Sequence, residues 1–262
     1  MADDQKTLLD VVSYIVSRHP MLAPQVEQLA AYIQGKGYGA ATVEHEFQMV
    51  QQLLDREPRL CIDIGGNVGE YTAEIRRKYP QAEIHVFEPS STNVSQLTQR
   101  FSSDGRIKIC PVAVTDKSGV ATLFSNAAGS GLGSLTQRRL DHFNIDFNVK
   151  ETINAIRFED YWVHDLGEKI VDFVKIDVEG HEMAVLKGFG RAIHMSRIVQ
   201  FEFGGTNIDT RTFFQDFWYF FKEHRFDLYR ISPAGLRHMT GYHEADESFL
   251  TANFIAVNRS IS

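Results

Sequence analysis

LCIDIGGNVGEY, residues 60 to 71, decides the fold of this chain, because a short apolar run ends there in an acid and a glycine-rich turn follows. Residues 60 to 64 are typical of a buried strand, and residues 70 to 79 of a helix. Glycines between them let the backbone reverse tightly and approach a ligand, which would lie on the N-terminus of the helix. The stretch therefore predicts a nucleotide-binding strand, turn and helix.

The spacing of the glycines indicates which nucleotide is bound. A dinucleotide site needs G-x-G-x-x-G, whereas Asn67 and Glu70 occupy two of the glycine positions here. What remains is D-x-G-x-N-x-G, in which Asp63 stands two residues before Gly65. An acid there suits a ligand with positive charge near its centre, such as the sulfonium and amino group of S-adenosylmethionine, better than a pyrophosphate. A glycine turn with a purely structural role stays open as the alternative.

Length, charge and cysteine content exclude several classes of protein. The chain has 262 residues, enough for one α/β domain with a modest extension, and a net charge of -7 with scattered Lys and Arg, which argues against a nucleic-acid partner. Its N-terminal segment has acids where a signal peptide has basic residues, and no apolar run approaches the roughly 20 residues of a membrane span. Cys61 and Cys110 fall in apolar runs, which predicts buried free thiols. We expect a cytoplasmic protein.

The N-terminal part of the chain is predicted to be helical. Apolar residues recur at helical spacing in residues 7–18, and two further helices are expected at 24–34 and 42–55, separated by the flexible run GKGYG at 35–39. We predict a helical extension over 1–57 and a catalytic domain over 58–262. The extension packs on the core, closes the substrate pocket or forms a dimer contact. The oligomeric state stays open.

From residue 60 onward, strand and helix patterns alternate, as in a doubly wound parallel sheet. Seven strands are expected in the sheet, at 60–64, 83–87, 107–114, 171–176, 198–203, 226–231 and 252–257. The last two are expected to form an antiparallel hairpin, with the loop 232–251 near the ligand. Between the third and fourth strands lie shorter runs at 120–124 and 152–158 and a glycine- and serine-rich loop at 126–150. That loop is either a lid over a ligand or a surface loop.

Acidic residues follow several of the predicted strands. Glu88 ends the second strand about twenty residues beyond the glycine turn, where a carboxylate can accept both hydroxyls of a ribose; the alternative is an acid at a helix N-terminus. Asp177, Glu179 and His181 follow the fourth strand, and Glu202 lies in the fifth. Since ligands bind outside the carboxyl ends of the strands, we expect these side chains to point into one crevice.

Asp177, Glu179, His181 and Glu202 are candidate general bases, which a methyl transfer to a hydroxyl needs in addition to alignment. A helix cap formed by Asp177 and Glu179 is the structural alternative. Three carboxylates can also hold Mg²⁺, a hard cation that takes oxygen ligands. We favour a metal-independent base, Asp177 or His181, because only the pairing of two strands would bring Glu202 to the same site.

Four stretches together resemble a known family, the FkbM family of S-adenosylmethionine-dependent methyltransferases, over roughly residues 58–257. They are CIDIGGNVGEYT at 61–72, HVFEPSSTNVSQL at 85–97, VKIDVEGHEMAVLKGF at 174–189 and IVQFEF at 198–203. Two departures stand out: Gly66 replaces the usual Ala, and FED at 158–160 replaces the usual LDD, so that Asp160 inherits no role. Residues 1–57 lie outside the family core.

The resemblance implies a Rossmann-like class I methyltransferase fold and O-methyl transfer to a hydroxyl of a sugar, glycan or secondary metabolite. It also implies the cofactor contacts, with Glu88 on the ribose. The residues that it assigns to the cofactor site are Asp63, Gly65, Asn67 and Gly69 near the methionine end, Glu88 at the ribose, and Val112 and Ala113 beside the adenine. Gly66 and Pro89 are also expected to bind the cofactor. An NAD-dependent oxidoreductase and a non-catalytic cofactor-binding module remain as alternatives.

Overall fold

The computed structural model of the protein describes residues 2–38 and 42–261. Gly39, the last residue of the glycine run expected to be flexible, lies outside them. The strands are β1 (Leu60–Ile64), β2 (Glu83–Phe87), β3 (Ile107–Cys110), β4 (Ala113–Val114), β5 (Gly119–Ser125), β6 (Val149–Ile156), β7 (Val171–Ile176), β8 (Ser196–Phe203), β9 (Phe226–Ser232), β10 (Gly235–Met239) and β11 (Ala252–Asn258). The helices are α1 (Ala2–Arg18), α2 (Ala23–Ile33), α3 (Val43–Gln51), α4 (Glu70–Lys78), α5 (Ser91–Arg100), α6 (Phe158–His164), α7 (Glu182–Gly188), α8 (Thr206–Thr210) and α9 (Phe214–Glu223).

The main sheet has eight strands in the order β10-β9-β11-β8-β7-β1-β2-β3. Strands β3, β2, β1, β7 and β8 are parallel, and β11 runs antiparallel to both β8 and β9. The seven expected strands are all present, and the antiparallel C-terminal pairing is confirmed. The count of seven was wrong by one, because β10 pairs with β9 and extends the sheet inside the loop expected at 232–251.

A second sheet, with the order β4-β6-β5, lies between the third and fourth expected strands. The expected strand at 107–114 is divided in two here. Pro111 has no N–H to donate to a strand ladder, and the Val112 N–H turns back to the Cys110 carbonyl at 2.8 Å. Beyond that turn, Ala113 and Val114 pair with β6 instead of β2. The expected strand at 152–158 likewise ends at Ile156, since Phe158 already begins α6.

Apolar side chains cover both faces of the main sheet, as expected for a parallel sheet between helices. One face packs against α6, α7 and α9, and the other against α3, α4 and α5. On the second face, Phe47 of α3 meets Tyr71 of α4 and Phe173 of β7 in edge-to-face contacts. This core aligns the carboxyl ends of β1, β2, β7 and β8 along one edge of the sheet.

The N-terminal helices differ in how they pack. Phe47 and Val50 of α3 are fully buried in the core. Apolar side chains of α1 and α2 are instead exposed, among them Leu8, Leu9 and Leu29. The expected helices are present, although the third ends at Gln51. A domain boundary near residue 57 stays a prediction, and α3 is part of the packed core.

Candidate active site

The turn after β1 needs its first glycine because the chain passes very close to the next strand end. Gly65 has a left-handed φ of +85°, and a Cβ there would collide with the carbonyl oxygen of Asp177. Its N–H and that of Gly66 both donate to the Phe87 carbonyl, at 2.9 and 3.1 Å. The turn is therefore locked to β2 on one side and to the end of β7 on the other.

Glu88 follows β2 and is held by backbone groups. Its Oε2 accepts a hydrogen bond from the Asn67 N–H at 2.9 Å, and its Oε1 accepts one from the Ser90 N–H at 2.9 Å. Burial raises the pKa of this carboxyl to about 7, although both hydrogen bonds oppose the shift. Each carboxylate oxygen keeps a lone pair, so Glu88 can accept the hydrogens of a ribose diol.

A cavity of about 300 Å³ opens between these groups and the small sheet. Its polar wall comes from the glycine turn, the start of α5 and the residues after β7, and its apolar wall from β4, β5 and β6. The expected site residues in this wall are Gly65, Asn67, Glu88, Pro89, Ala113, Asp177, Glu179 and His181. The sequence did not single out several other wall residues, namely Ser90, Asn93, Leu123, Ser125, Leu135, Lys150 and Glu151.

Several expected cofactor residues lie outside the cavity wall. Asp63 is fully buried under the turn, where its Oδ2 accepts a hydrogen bond from the Thr72 hydroxyl at 2.6 Å. A Cβ at Gly66 would strike the Val86 side chain, and one at Gly69 would strike Phe101 and Leu97. These two glycines therefore allow the turn to pack closely against β2 and against the end of α5 in this structure. Val112 is partly buried against the core and, like Asp63, does not reach the cavity.

Residues 126–148, which we call the lid segment, cross the cavity between β5 and β6. Gly129 and Gly131 line the cavity, packed against Thr92 of α5 and the Asn67 side chain respectively. At the other end, the Ser134 hydroxyl donates to the backbone carbonyl of Glu179 at 2.8 Å. The lid segment therefore contacts both the α5 side and the β7 side of the cavity.

Two carboxylates after β7 meet cations. The Lys175 ammonium donates to Asp177 Oδ2 at 2.9 Å, and the Arg138 guanidinium of the lid segment donates to Glu179 Oε2 at 2.8 Å. Glu179 has a left-handed φ of +55°, a strained conformation for a residue with a side chain. Burial, followed by the nearby Asp177 charge, raises the pKa of Glu179 to about 7, against the effect of Arg138.

The remaining candidate bases occupy different surroundings. His181 precedes α7 and lines the cavity, and its electrostatic neighbour is Asp116, which follows β4. The pKa of His181 is lowered, and burial is the cause. Glu202 is not in the cavity wall. Burial and the neighbouring carboxylates, first Asp177, raise its pKa well above the ordinary value.

A row of polar side chains on three central strands includes Lys175, the ion-pair partner of Asp177. Asp63 pairs in register with Lys175, which pairs with Gln200, so the three lie side by side on β1, β7 and β8. Burial alone lowers the pKa of Lys175, but the charges of Asp177 and Asp63 outweigh it and hold the pKa above its usual value. Glu46 of α3 caps the row, accepting from the Gln200 amide at 3.0 Å. Helix α3, in the N-terminal part of the chain, therefore contacts this row of polar side chains.

Within residues 2–38 and 42–261, no group of three or more His, Cys, Asp or Glu side chains is placed to hold a metal ion. None of the helices in this part of the chain is long and apolar enough to cross a membrane. The carboxylates at the strand ends are paired with Lys175, Arg138 or backbone N–H groups. The site is therefore organised around hydrogen bonds and ion pairs.

The sheet order and the site at its carboxyl edge define the chain as an enzyme with the class I methyltransferase fold. Residues 63–228 match the model of the methyltransferase FkbM domain. The chain belongs to the FkbM methyltransferase family, which confirms the resemblance seen in the sequence and disfavours the NAD-dependent oxidoreductase.

Two curated relatives are similar over somewhat more than half of the chain. Methyltransferase 1 of Beauveria bassiana is 27% identical over 171 residues, covering 57% of this chain and 69% of the relative. The 2-O-methyltransferase NoeI of Sinorhizobium fredii is 23% identical over 166 residues, covering 60% and 68%. A solved FkbM methyltransferase from Methylobacillus flagellatus is 17% identical with a TM-score of 0.45, and the match covers 76% of this chain but 44% of that one. This last likeness is too distant to support a statement about function.

Proposed function

We propose that the protein transfers a methyl group from S-adenosylmethionine to a hydroxyl of a sugar, glycan or secondary metabolite. The observation that carries the proposal is the cavity, which has the backbone-held carboxylate of Glu88 at one side and the cation-paired carboxylate of Asp177 at the other. Family membership supports the methyl transfer. The name of the NoeI relative, a 2-O-methyltransferase, supports oxygen as the acceptor atom.

The residues present fit an adenosine-containing cofactor. Glu88 keeps a free lone pair for a ribose hydroxyl, and Ala113, Leu123 and Leu135 offer an apolar surface for a flat base. Asn67 Oδ1 is buried without a hydrogen-bond partner among the described residues, and can accept from the amino group of the methionine part. When bound, the cofactor supplies an electrophilic methyl group on a sulfonium.

The protein's own contribution to the reaction is alignment and removal of a proton. Asp177 lies in the cavity wall, and its carboxylate is oriented by the buried Lys175 ammonium at 2.9 Å. We infer that Asp177 accepts the proton of the acceptor hydroxyl, and that Glu179 and the Arg138 side chain of the lid segment exclude water around it. His181 is a weaker candidate because its electrostatic neighbour is Asp116. Glu202 is a weaker candidate because it lies outside the cavity wall.

We favour a reaction without Mg²⁺, because the carboxylates nearest the cavity already have protein partners. The two cysteines are buried free thiols, which suits the reducing cytoplasm proposed for this chain. The net charge of -7 supports an acceptor other than nucleic acid.

The test combines cofactor binding with methyl transfer. Calorimetry with S-adenosylhomocysteine is expected to give one site per chain in the wild type. NAD is expected to give no heat. Methyl-labelled S-adenosylmethionine is then offered with a panel of monosaccharides, oligosaccharides and phenols, with and without a chelator. Label in at least one hydroxyl product supports the proposal, whereas a protein that binds NAD and leaves S-adenosylhomocysteine in solution refutes it.

A further inference from the structure

The first turn of α5 places an asparagine in the cavity wall. Asn93 and Leu97 stand four residues apart on the inward face of this helix, and both are buried, Asn93 with only 2% of its surface exposed. Leu97 packs in the core, as an apolar residue on that face should. A polar side chain in the same row is costly unless it is hydrogen-bonded. Asn93 therefore needs partners for both ends of its amide.

One end of the Asn93 amide faces a group of the protein. The Asn93 side chain lies close enough to the Glu88 carboxyl to lower the pKa of that group. Since a carboxylate accepts and does not donate, the NH₂ end must face Glu88. Asn93 Oδ1 is then left as an acceptor, and it has no hydrogen-bond partner among the described residues. An unsatisfied buried acceptor destabilises the free protein, and a ligand that donates a hydrogen bond to it would remove that cost.

The surroundings of Oδ1 indicate which ligand group donates to it. Because the two ends of one amide are joined covalently, Oδ1 lies beside the donor that reaches Glu88. The hydroxyls of a ribose diol are also neighbours, on adjacent carbon atoms. One diol can therefore reach the Glu88 carboxylate and Asn93 Oδ1 together. The backbone of Gly129 closes over the same atom, since a Cβ there would lie 3.0 Å from Oδ1.

We propose that Asn93 is a specificity-determining residue, whose Oδ1 accepts a hydrogen bond from one ribose hydroxyl of the cofactor while Glu88 accepts from the other. This inference rests on the proposed function, because it takes the ligand to be an S-adenosyl compound. It assigns to Asn93 the distinction between ribose and a deoxyribose. Removing Asn93 should then make one of the two hydroxyls nearly irrelevant to binding.

The experiment measures this coupling without any methyl acceptor. S-adenosylhomocysteine is titrated by calorimetry, and adenosine, 2′-deoxyadenosine and 3′-deoxyadenosine compete with it. The variants are Asn93→Ala and Asn93→Ser, and the matched control is Gln96→Ala, an exposed position on the same helix. We expect about 3- to 10-fold weaker S-adenosylhomocysteine binding in Asn93→Ala, the range for one neutral hydrogen bond. In the wild type and the control, loss of one hydroxyl should weaken nucleoside binding by a similar factor.

The deciding quantity is the ratio of adenosine affinity to deoxyadenosine affinity. In Asn93→Ala, this ratio should fall close to one for one of the two deoxynucleosides, a change that a purely structural asparagine would not produce. Unchanged ratios for both deoxynucleosides overturn the inference while S-adenosylhomocysteine binding upholds the cofactor. If Asn93→Ala does not fold, the same affinity ratios are measured in Asn93→Ser. In addition, equal affinity of the wild type for all three nucleosides overturns the inference about Asn93. A wild type that does not bind S-adenosylhomocysteine refutes the proposed function itself.

Discussion

The two sides of the cavity hold their carboxylates in different ways. Glu88 is fixed by two backbone N–H groups, which belong to the glycine turn and to the start of α5. Asp177 and Glu179 are fixed by side-chain cations, Lys175 from below and Arg138 from the lid segment. Backbone donors hold a carboxylate in one place, whereas the Arg138 side chain can move with the lid segment. The comparison suggests a rigid cofactor side and an adjustable acceptor side.

The largest effect should come from the acceptor side, in the variant Asp177→Asn. Loss of a general base typically costs 10²- to 10⁴-fold in rate, or about 3–5 kcal/mol. Turnover of any acceptor found in the panel should fall by this factor, and S-adenosylhomocysteine affinity should change little. The control is Asp165→Asn, which removes a carboxylate paired with Lys108 on the surface.

A chelator arm and the variant His181→Ala complete this experiment. Activity lost to chelator and restored by Mg²⁺ would contradict the metal-free reaction. Activity that survives chelator, Asp177→Asn and His181→Ala would mean that the enzyme works by alignment alone. In that case, the functional difference between the two sides of the cavity would disappear.

The cofactor side should respond in binding instead of rate. Glu88→Ala should weaken S-adenosylhomocysteine binding by about 1.5–3 kcal/mol, the range for hydrogen bonds to a charged group. Calorimetry measures this directly, and Glu44→Ala, an exposed acid on α3, is the control. Unchanged affinity would show that Glu88 does not bind the ribose. The proposed rigid cofactor side would then have no support.

The next prediction concerns how the stability of the folded protein depends on pH. Glu182 is buried and its Oε1 accepts from the N–H groups of Val178 and Gly180, yet burial raises its pKa to about 7. Because the folded pKa lies above the unfolded value, its contribution to stability is present below about pH 4.5 and is lost as the pH rises through 7. The full shift corresponds to roughly 3 kcal/mol, and coupling to neighbouring carboxyls reduces this to about 1–2 kcal/mol.

Urea unfolding of the free protein at several pH values between 5 and 8 tests this sign. Glu182→Gln should be no more stable than the wild type at pH 5 and should gain about 1–2 kcal/mol on it by pH 8. Parallel curves for the two proteins would show that Glu182 does not titrate in this range. The result would then point to Glu179 or Glu46 as the source of any slope.

The cofactor side was the more predictable from sequence because its signals are local. The glycine turn, Glu88 and the alternating strands each depend on a few neighbouring residues. Pro111 was a local signal too, and it marks the break that separates β3 from β4. The register of the small sheet and the edge strand β10 have no such marker. Their residues become neighbours only when distant segments pair.

The polar side chains next to Lys175, the ion-pair partner of Asp177, could not be predicted from the sequence, because long-range pairing brings them together. Lys175 and Gln200 are adjacent only because β7 and β8 pair in this register, and the Tyr71 hydroxyl that donates to Gln200 lies 129 residues away in sequence. Glu46 comes from a helix that the family motifs do not include. Hydrophobic periodicity places α3 as a helix but does not say which strands its one buried acid will meet.

The smallest effect expected concerns the lid segment, whose ion pair makes the acceptor side adjustable. Arg138→Ala removes the guanidinium from Glu179, and a partly buried pair of this kind contributes about 1 kcal/mol, so local opening should increase roughly fivefold. Elastase is a suitable protease, because it cleaves after small residues such as Ala127 and does not need Arg138. Arg139→Ala is the matched control, an exposed arginine next in sequence. Cleavage of the free protein should accelerate in Arg138→Ala and stay at the wild-type rate in the control.

Binding of S-adenosylhomocysteine should suppress cleavage in all three proteins, because the contacts of Gly129 and Ser134 close the lid segment from both sides of the cavity. If the ligand fails to suppress cleavage only in Arg138→Ala, the ion pair between Arg138 and Glu179 is required to hold the lid segment closed. Equal cleavage with and without ligand would mean that the lid segment does not respond to the cofactor at all. Since Arg138 reaches the site only from this segment, movement of the acceptor side would then be independent of the cofactor.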